Sequence, residues 1–124
     1  MTSKHQNYLL KTYPGLYRQH KLSMRETCMC WGFECGDGWF KLLDALSRKL
    51  VKIYPELQAT QVKEKYGTLR FYTGGMPEVL EIPVFKTIEL ACWKSARTCD
   101  VCGEPGKLNN EGWISARCEK HRKG

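Results

Sequence analysis

Residues 98–121 read TCDVCGEPGKLNNEGWISARCEKH, and four residues in them set the architecture of this end of the chain. Cys99 and Cys102 are separated by two residues, fifteen follow, and Cys118 and His121 are again separated by two. A two-residue gap lets both members of a pair reach one ion. Three thiolates and an imidazole complete the tetrahedron that Zn²⁺ prefers. Gly103 directly follows the second cysteine, where a knuckle must turn its backbone amides towards sulfur. Pro105-Gly106 and Asn109-Asn110 supply turns, and residues 113–116 are predicted to form a return strand. Knuckle, hairpin and second ligand pair describe a short treble-clef-like or zinc-ribbon-like module, and the choice stays open. All four corners are filled by protein, which leaves no position for water or substrate. The expected ion is therefore structural, one per chain. A redox Cys-x-x-Cys would want the pair at a helix start in a βαβ setting, and neither is visible.

Working back from this module, QVKEKYGTLRFY at residues 61–72 reads as a β-hairpin turning at Tyr66-Gly67. Glu64 then faces Leu69, Lys63 faces Arg70 and Val62 faces Phe71. Val62, Leu69 and Phe71 belong on the core, and Lys63, Lys65, Arg70 and Tyr72 occupy the other face. Like charges opposed on a sheet repel. An anion such as a phosphate lying over that face beside an aromatic ring would explain them. The competing explanation is that long basic side chains splay into water.

The strongest helix is expected just after Asp37, which can cap it. Trp39, Leu42, Leu43, Leu46, Leu50, Ile53 and Tyr54 form one apolar stripe, while Lys41, Asp44, Arg48 and Lys52 fall opposite. Asp44 and Arg48, four apart, can pair. A second main helix is expected from near Pro83 towards Arg97, with Phe85, Ile88 and Cys92 on its inner stripe. Ser3 can cap a short N-terminal helix that stops before Pro14-Gly15. A strand is conceivable over residues 27–33. The expected fold is α+β: two main helices on a small antiparallel sheet over residues 1–97, with a zinc-binding module over residues 98–124 packed on it.

Residues 26–40, ETCMCWGFECGDGWF, hold three further cysteines. On a strand Cys28 and Cys30 would share a face, so a second metal site with Cys35 and a distant Cys92 or His20 is conceivable. The plainer reading is a packing corner with buried thiols, in which Gly36-Asp37-Gly38 turns the chain and Trp31, Phe33, Trp39 and Phe40 supply bulk.

The 124 residues carry 20 Lys+Arg against 13 Asp+Glu, a formal charge of +7 spread without any long basic run. That bias favours nucleic acid or acidic protein surfaces as partners. No apolar run is long enough to span a membrane, and the start MTSKHQNY is no signal peptide, so a cytoplasmic setting with reduced thiols is expected. Seven cysteines, an odd number, fit badly with a closed disulfide framework. The sequence leans away from an enzyme: of His5, His20 and His121 the last is predicted to bind metal, and no phosphate loop, dinucleotide fingerprint or nucleophile elbow occurs. A thiol enzyme pairing Cys28, Cys30 or Cys35 with His20 has only arithmetic behind it.

Several segments together, YPGLY, CMCWGFECGDGWF, VKEKYGTLRFY, TCDVCGEPG and GWISARCEKH, resemble a family of small uncharacterised tailed-bacteriophage and prophage proteins with a C-terminal zinc knuckle. The resemblance implies a compact domain ending in a zinc knuckle, in the cytosol of an infected bacterium, and carries over no established activity. Two partners are expected from these observations. One is nucleic acid, bound through Lys63, Lys65, Arg70 and Tyr72 and helped by the basic end Lys120, Arg122 and Lys123. The other is a bacterial host or defence protein that the chain would inhibit, met by surface aromatics such as Tyr13, Tyr17 and Trp113. No small-molecule substrate is inferred.

Overall fold

The computed structural model describes residues 1–110 and 112–122. Among the described residues the chain is α+β, with three α-helices and a small mixed sheet. Helix α1 is Ser3–Thr12, strand β1 Phe33–Glu34, helix α2 Phe40–Ile53, strands β2 and β3 Ala59–Lys65 and Thr68–Thr73, and helix α3 Glu78–Ser95. Strands β4, Lys107–Asn109, and β5, Ser115–Arg117, form a separate antiparallel pair.

The hairpin follows its predicted register. Val62 pairs with Phe71, Lys63 with Arg70 and Glu64 with Leu69. Tyr66 and Gly67 turn it with φ of 55° and 81°, the left-handed pair that a two-residue turn of this hand requires. The sheet is not purely antiparallel, however. Two-residue β1 lies parallel to β2, with Phe33 beside Val62 and Glu34 beside Lys63. A parallel neighbour needs a crossover, and α2 supplies it. Residues 27–33 are not a strand: 29–31 form a 3₁₀ turn, and pairing starts only at Phe33.

The α2 stripe is as expected at its centre, with Trp39, Leu43, Leu46 and Leu50 buried and Leu42, Ile53 and Tyr54 at the margin. Asp44 pairs with Arg48 at 3.2 Å. Asp37 does not cap α2. Its carboxylate accepts the Thr2 amide at 2.9 Å and meets His5 Nδ1 at 2.9 Å, so it anchors α1 instead. Thr2, rather than Ser3, is the N-cap of α1, its hydroxyl accepting the His5 amide.

Helix α3 begins five residues before Pro83, behind Pro77 and with Glu78 and Glu81 in its first turn. Pro83 costs one intrahelical bond near the exposed start, where the loss is borne more easily than at mid-helix. The inner stripe is therefore Val84, Ile88, Ala91 and Ser95, and Phe85 points outward. Cys92 is only half-buried. Tyr13 and Tyr17 are core residues, contrary to a surface role: Tyr13 donates to the Asp44 carboxylate, and the Tyr17 hydroxyl meets Ser47 Oγ. Both phenols are pushed up by burial, Tyr13 to about 12 with the Asp44 hydrogen bond adding to the effect.

Candidate metal centre

The knuckle at residues 99–103 forms because its amides have nearby acceptors and Gly103 adopts a φ of 84°. The Gly103 amide donates to the Cys99 carbonyl at 2.9 Å, and the Cys99 amide to the Glu104 carbonyl at 2.8 Å. Strands β4 and β5 then carry the chain out and back. The Asp100 amide bonds the Ala116 carbonyl at 2.9 Å, and Arg117 Nε donates to the Asp100 carboxylate at 3.1 Å. The return strand is Ser115–Arg117, shifted from the expected position, and a single 3₁₀ turn at Glu119–His121 delivers the last ligand.

These elements bring the sequence-predicted ligands together. The donor atoms of Cys99, Cys102, Cys118 and His121 all lie within 4.8 Å of one another. Cys102 Sγ and Cys118 Sγ are 3.7 Å apart, and His121 Nδ1 stands 3.2 Å from Cys118 Sγ and 3.6 Å from Cys99 Sγ. Tetrahedral sulfurs about 2.3 Å from a zinc-sized ion are about 3.8 Å apart, so the cluster has the size to hold one metal ion. Burial opposes the Cys99 thiolate, but the amides of Cys118, Cys102 and Val101 aim at its sulfur and hold its pKa down at about 6. Cys102 moves the other way. The Glu104 amide favours its thiolate, yet burial and the neighbouring Cys99 and Cys118 sulfurs outweigh that.

The cluster is seated on the rest of the chain at two places. Gly38 donates its amide to the Asp100 carbonyl at 2.9 Å, and the buried Trp39 indole donates to the Thr98 carbonyl at 2.9 Å. A Cβ on Gly36 would stand 2.0 Å from the Asp100 carbonyl oxygen, so the chain corner lies flat against the knuckle. The second seat is the hairpin tip, where a Cβ on Gly67 would meet Leu108 at 2.6 Å. The Gly-Asp-Gly of residues 36–38 is thus a floor for the Cys/His cluster.

The other cysteines do not assemble. Among the described residues, Cys99, Cys102, Cys118 and His121 form the one group of three or more ligand-type side chains within reach of a common ion. Cys28 is exposed, Cys30 donates to the Thr27 carbonyl at 3.3 Å, and burial pushes the Cys35 thiol up to about 12. The stretch is a packing corner, but only partly with buried thiols, and its Trp31 is 61% exposed.

The proposed basic face takes shape as the register demands. Lys63 and Arg70 stand side by side, Lys65 is exposed two rungs away, and Tyr72 is exposed. Arg70 Nε is buried without a hydrogen-bond partner. Glu34 lies in register on the far side of Lys63, a carboxylate that sequence alone did not bring here. A second basic surface was missed altogether. A groove of about 710 Å³ between α2 and α3, running to the knuckle, gathers Lys41, Lys49, Lys94 and Arg97. Lys41 and Lys49 lie on α2, Lys94 on α3 and Arg97 just beyond it, more than forty residues apart, with no local motif to mark them. Of the basic end, Lys120 is exposed, Arg122 is half-buried, and Lys123 lies outside the described residues.

Among the described residues, no helix is long and apolar enough to cross a membrane. No family model, curated protein or solved structure matches this chain.

Proposed function

We propose that residues 98–124 hold one zinc ion as a structural element, in a treble-clef-like or ribbon-like module packed on residues 1–97. We propose further that the chain works by binding a macromolecule and not by catalysis. The donor set supports the first part: three thiols and an imidazole at tetrahedral separations leave no corner for a substrate. Bound zinc would supply a cross-link between knuckle and chain end and no chemistry beyond that. Elemental analysis of purified protein is expected to give one zinc per chain, lost in Cys99→Ser or Cys118→Ser together with thermal stability. Two ions per chain, or a variant that keeps its melting temperature, would overturn this.

Nucleic acid is the favoured partner, in a phage-type accessory role. The observation carrying it is the Lys63–Arg70 pair, two like charges in register on one face of the hairpin that a phosphate lying over that face would reconcile. Lys65 and the exposed Tyr72 extend the same face for backbone and base. Reversing Lys63, Lys65 and Arg70 to glutamate should abolish binding to a generic duplex or single strand. Reversing Lys41, Lys49 and Lys94 in the groove, an equal change of charge, should weaken it only a few-fold. With about three phosphates engaged, log affinity should fall against log salt with a slope of roughly −3 on duplex. Absence of binding at low salt refutes the reading, and the opposite ranking of the two triples refutes the assignment of the face.

A protein-binding inhibitor of a bacterial host or defence protein is the second reading. It is favoured by the exposed apolar side chains of α3 and by Trp113, which is 84% exposed. A pull-down from nuclease-treated bacterial lysate separates the two, since a partner held through nucleic acid is lost there.

A further inference from the structure

Helix α3 is apolar on two opposite sides. Its inner stripe packs against α2 and β3, yet Val79, Ile82, Phe85, Leu90 and Trp93 are 82, 67, 51, 48 and 55% exposed. One amphipathic helix needs a single apolar face, so the second calls for a partner.

The outer face carries its own heptad. Val79, Lys86 and Trp93 recur every seven residues, and Ile82, Glu89 and Ala96 stand three residues after each. We propose that this face pairs with the same face of a second copy, the two α3 helices running antiparallel about a two-fold axis between residues 87 and 88. In an antiparallel pair each residue of the first series faces one of the second. Ile82 then lies opposite the partner's Trp93, Val79 opposite the partner's Ala96, and Lys86 opposite the partner's Glu89. Symmetry makes every one of these layers twice. Phe85 on one flank and Leu90 on the other each approach their own symmetry mates across the axis.

The charges select this occupant and this direction. Lys86 and Glu89 are exposed at the centre of the stripe, and the antiparallel pairing turns them into two reciprocal ion pairs. A parallel pairing would set lysine against lysine and glutamate against glutamate. At the ends, Glu78 and Glu81 occupy the first turn, while Lys94 stands in the last and Arg97 just beyond it. Antiparallel helices bring acidic start and basic end to the same height and also oppose their macrodipoles. The Arg97 guanidinium, 3.9 Å over the Trp93 ring, shields one face of the indole and leaves its edge for the partner's Ile82. A central polar layer costs affinity but fixes register and orientation.

Sedimentation equilibrium on the full, metal-loaded chain tests the proposal. The unaltered protein should dimerise, and Ile82→Glu or Trp93→Glu should weaken the dimer by at least about tenfold while circular dichroism stays unchanged. Lys86→Glu alone and Glu89→Lys alone should each weaken it by about tenfold, and the double reversal should restore it to within about threefold. A chain that remains monomeric across the accessible concentration range overturns the proposal, including when another protein proves to dock on α3. A dimer indifferent to Ile82→Glu and Trp93→Glu, or single reversals not rescued by the double, overturns it as well.

Discussion

Replacing Gly38 by alanine tests whether the metal cluster is seated on the chain by direct backbone contact. The new Cβ would stand 2.1 Å from the Cys99 carbonyl oxygen and 2.7 Å from both the Asp100 carbonyl carbon and the Gly103 nitrogen. All three are knuckle backbone atoms, so no side chain can rotate aside. Ordinary contact begins at 3.4 Å, which requires the knuckle and the corner to part by about 1.3 Å. That movement breaks the Gly38–Asp100 bond and strains the Trp39 indole bond to Thr98, both 2.9 Å long. Overpacking and lost hydrogen bonds together amount to about 2–4 kcal/mol. Gly38 lies outside the left-handed region, so backbone strain adds nothing to that figure. The matched control is Gly75→Ala, where a Cβ meets nothing within 4 Å. It should be neutral or stabilise by up to about 1 kcal/mol through the unfolded chain. Urea unfolding of both variants, with a competitive zinc titration, reads the outcome. Gly38→Ala should lose stability and metal affinity together. If it unfolds within about 0.5 kcal/mol of Gly75→Ala, the seat is not where the geometry puts it.

Asp37 and the Tyr17–Ser47 pair give two further expectations. Burial works against the Asp37 carboxylate, but the Thr2 amide and His5 hold its pKa below the usual value. Its stabilisation is therefore present above the unfolded-state value and lost as pH falls through the lower folded one. At neutral pH, Asp37→Asn should cost only about 0.5–1 kcal/mol, since the site is one-third exposed. That cost should fade as pH falls through the lowered folded-state value, and a cost unchanged in strong acid would contradict a charged carboxylate held by the Thr2 amide. In the core, Ser47 Oγ meets the Leu43 carbonyl as well as the Tyr17 hydroxyl. Tyr17→Phe leaves Ser47 bonded and should cost about 1 kcal/mol, whereas Ser47→Ala orphans a buried phenol and should cost about 1–3 kcal/mol. The reverse order in thermal unfolding would refute that reasoning.

What the sequence made legible was what short-range geometry decides. The ligand spacing at 99, 102, 118 and 121 and the hairpin register about Tyr66-Gly67 depend on turns of a few residues, and both stand in the fold. The parallel strand escaped notice because two residues have no periodicity, and only the α2 crossover places Phe33 beside Val62. The start of α3 was misjudged because Pro83 is a favoured first-turn residue, and here it sits within the helix. Its inner stripe was misjudged for a related reason. With apolar residues on both sides, periodicity alone could not say that Val84 and Ala91, not Phe85, face the core. Asp37 looked like a cap for the helix it precedes, whereas its bonds run back to Thr2 and His5, which are distant in sequence.

The two seats of the metal cluster also bear on the order in which the molecule assembles. The four ligands lie within residues 99–121, so closing them on an ion needs only a short loop. The seats at residues 36–38 and at Gly67 are some sixty and forty residues away along the chain. Loop-closure entropy grows with the logarithm of length, so the distant seats cost little more once closed but are met later by a diffusing chain. Ligand closure can therefore run ahead of the core and wait for it. A finished cluster has nowhere to dock until the Gly-Asp-Gly corner and the hairpin tip both exist. With an ion bound, the four ligands would form one local unit, and its place in the molecule would still be set by residues 36–38 and Gly67.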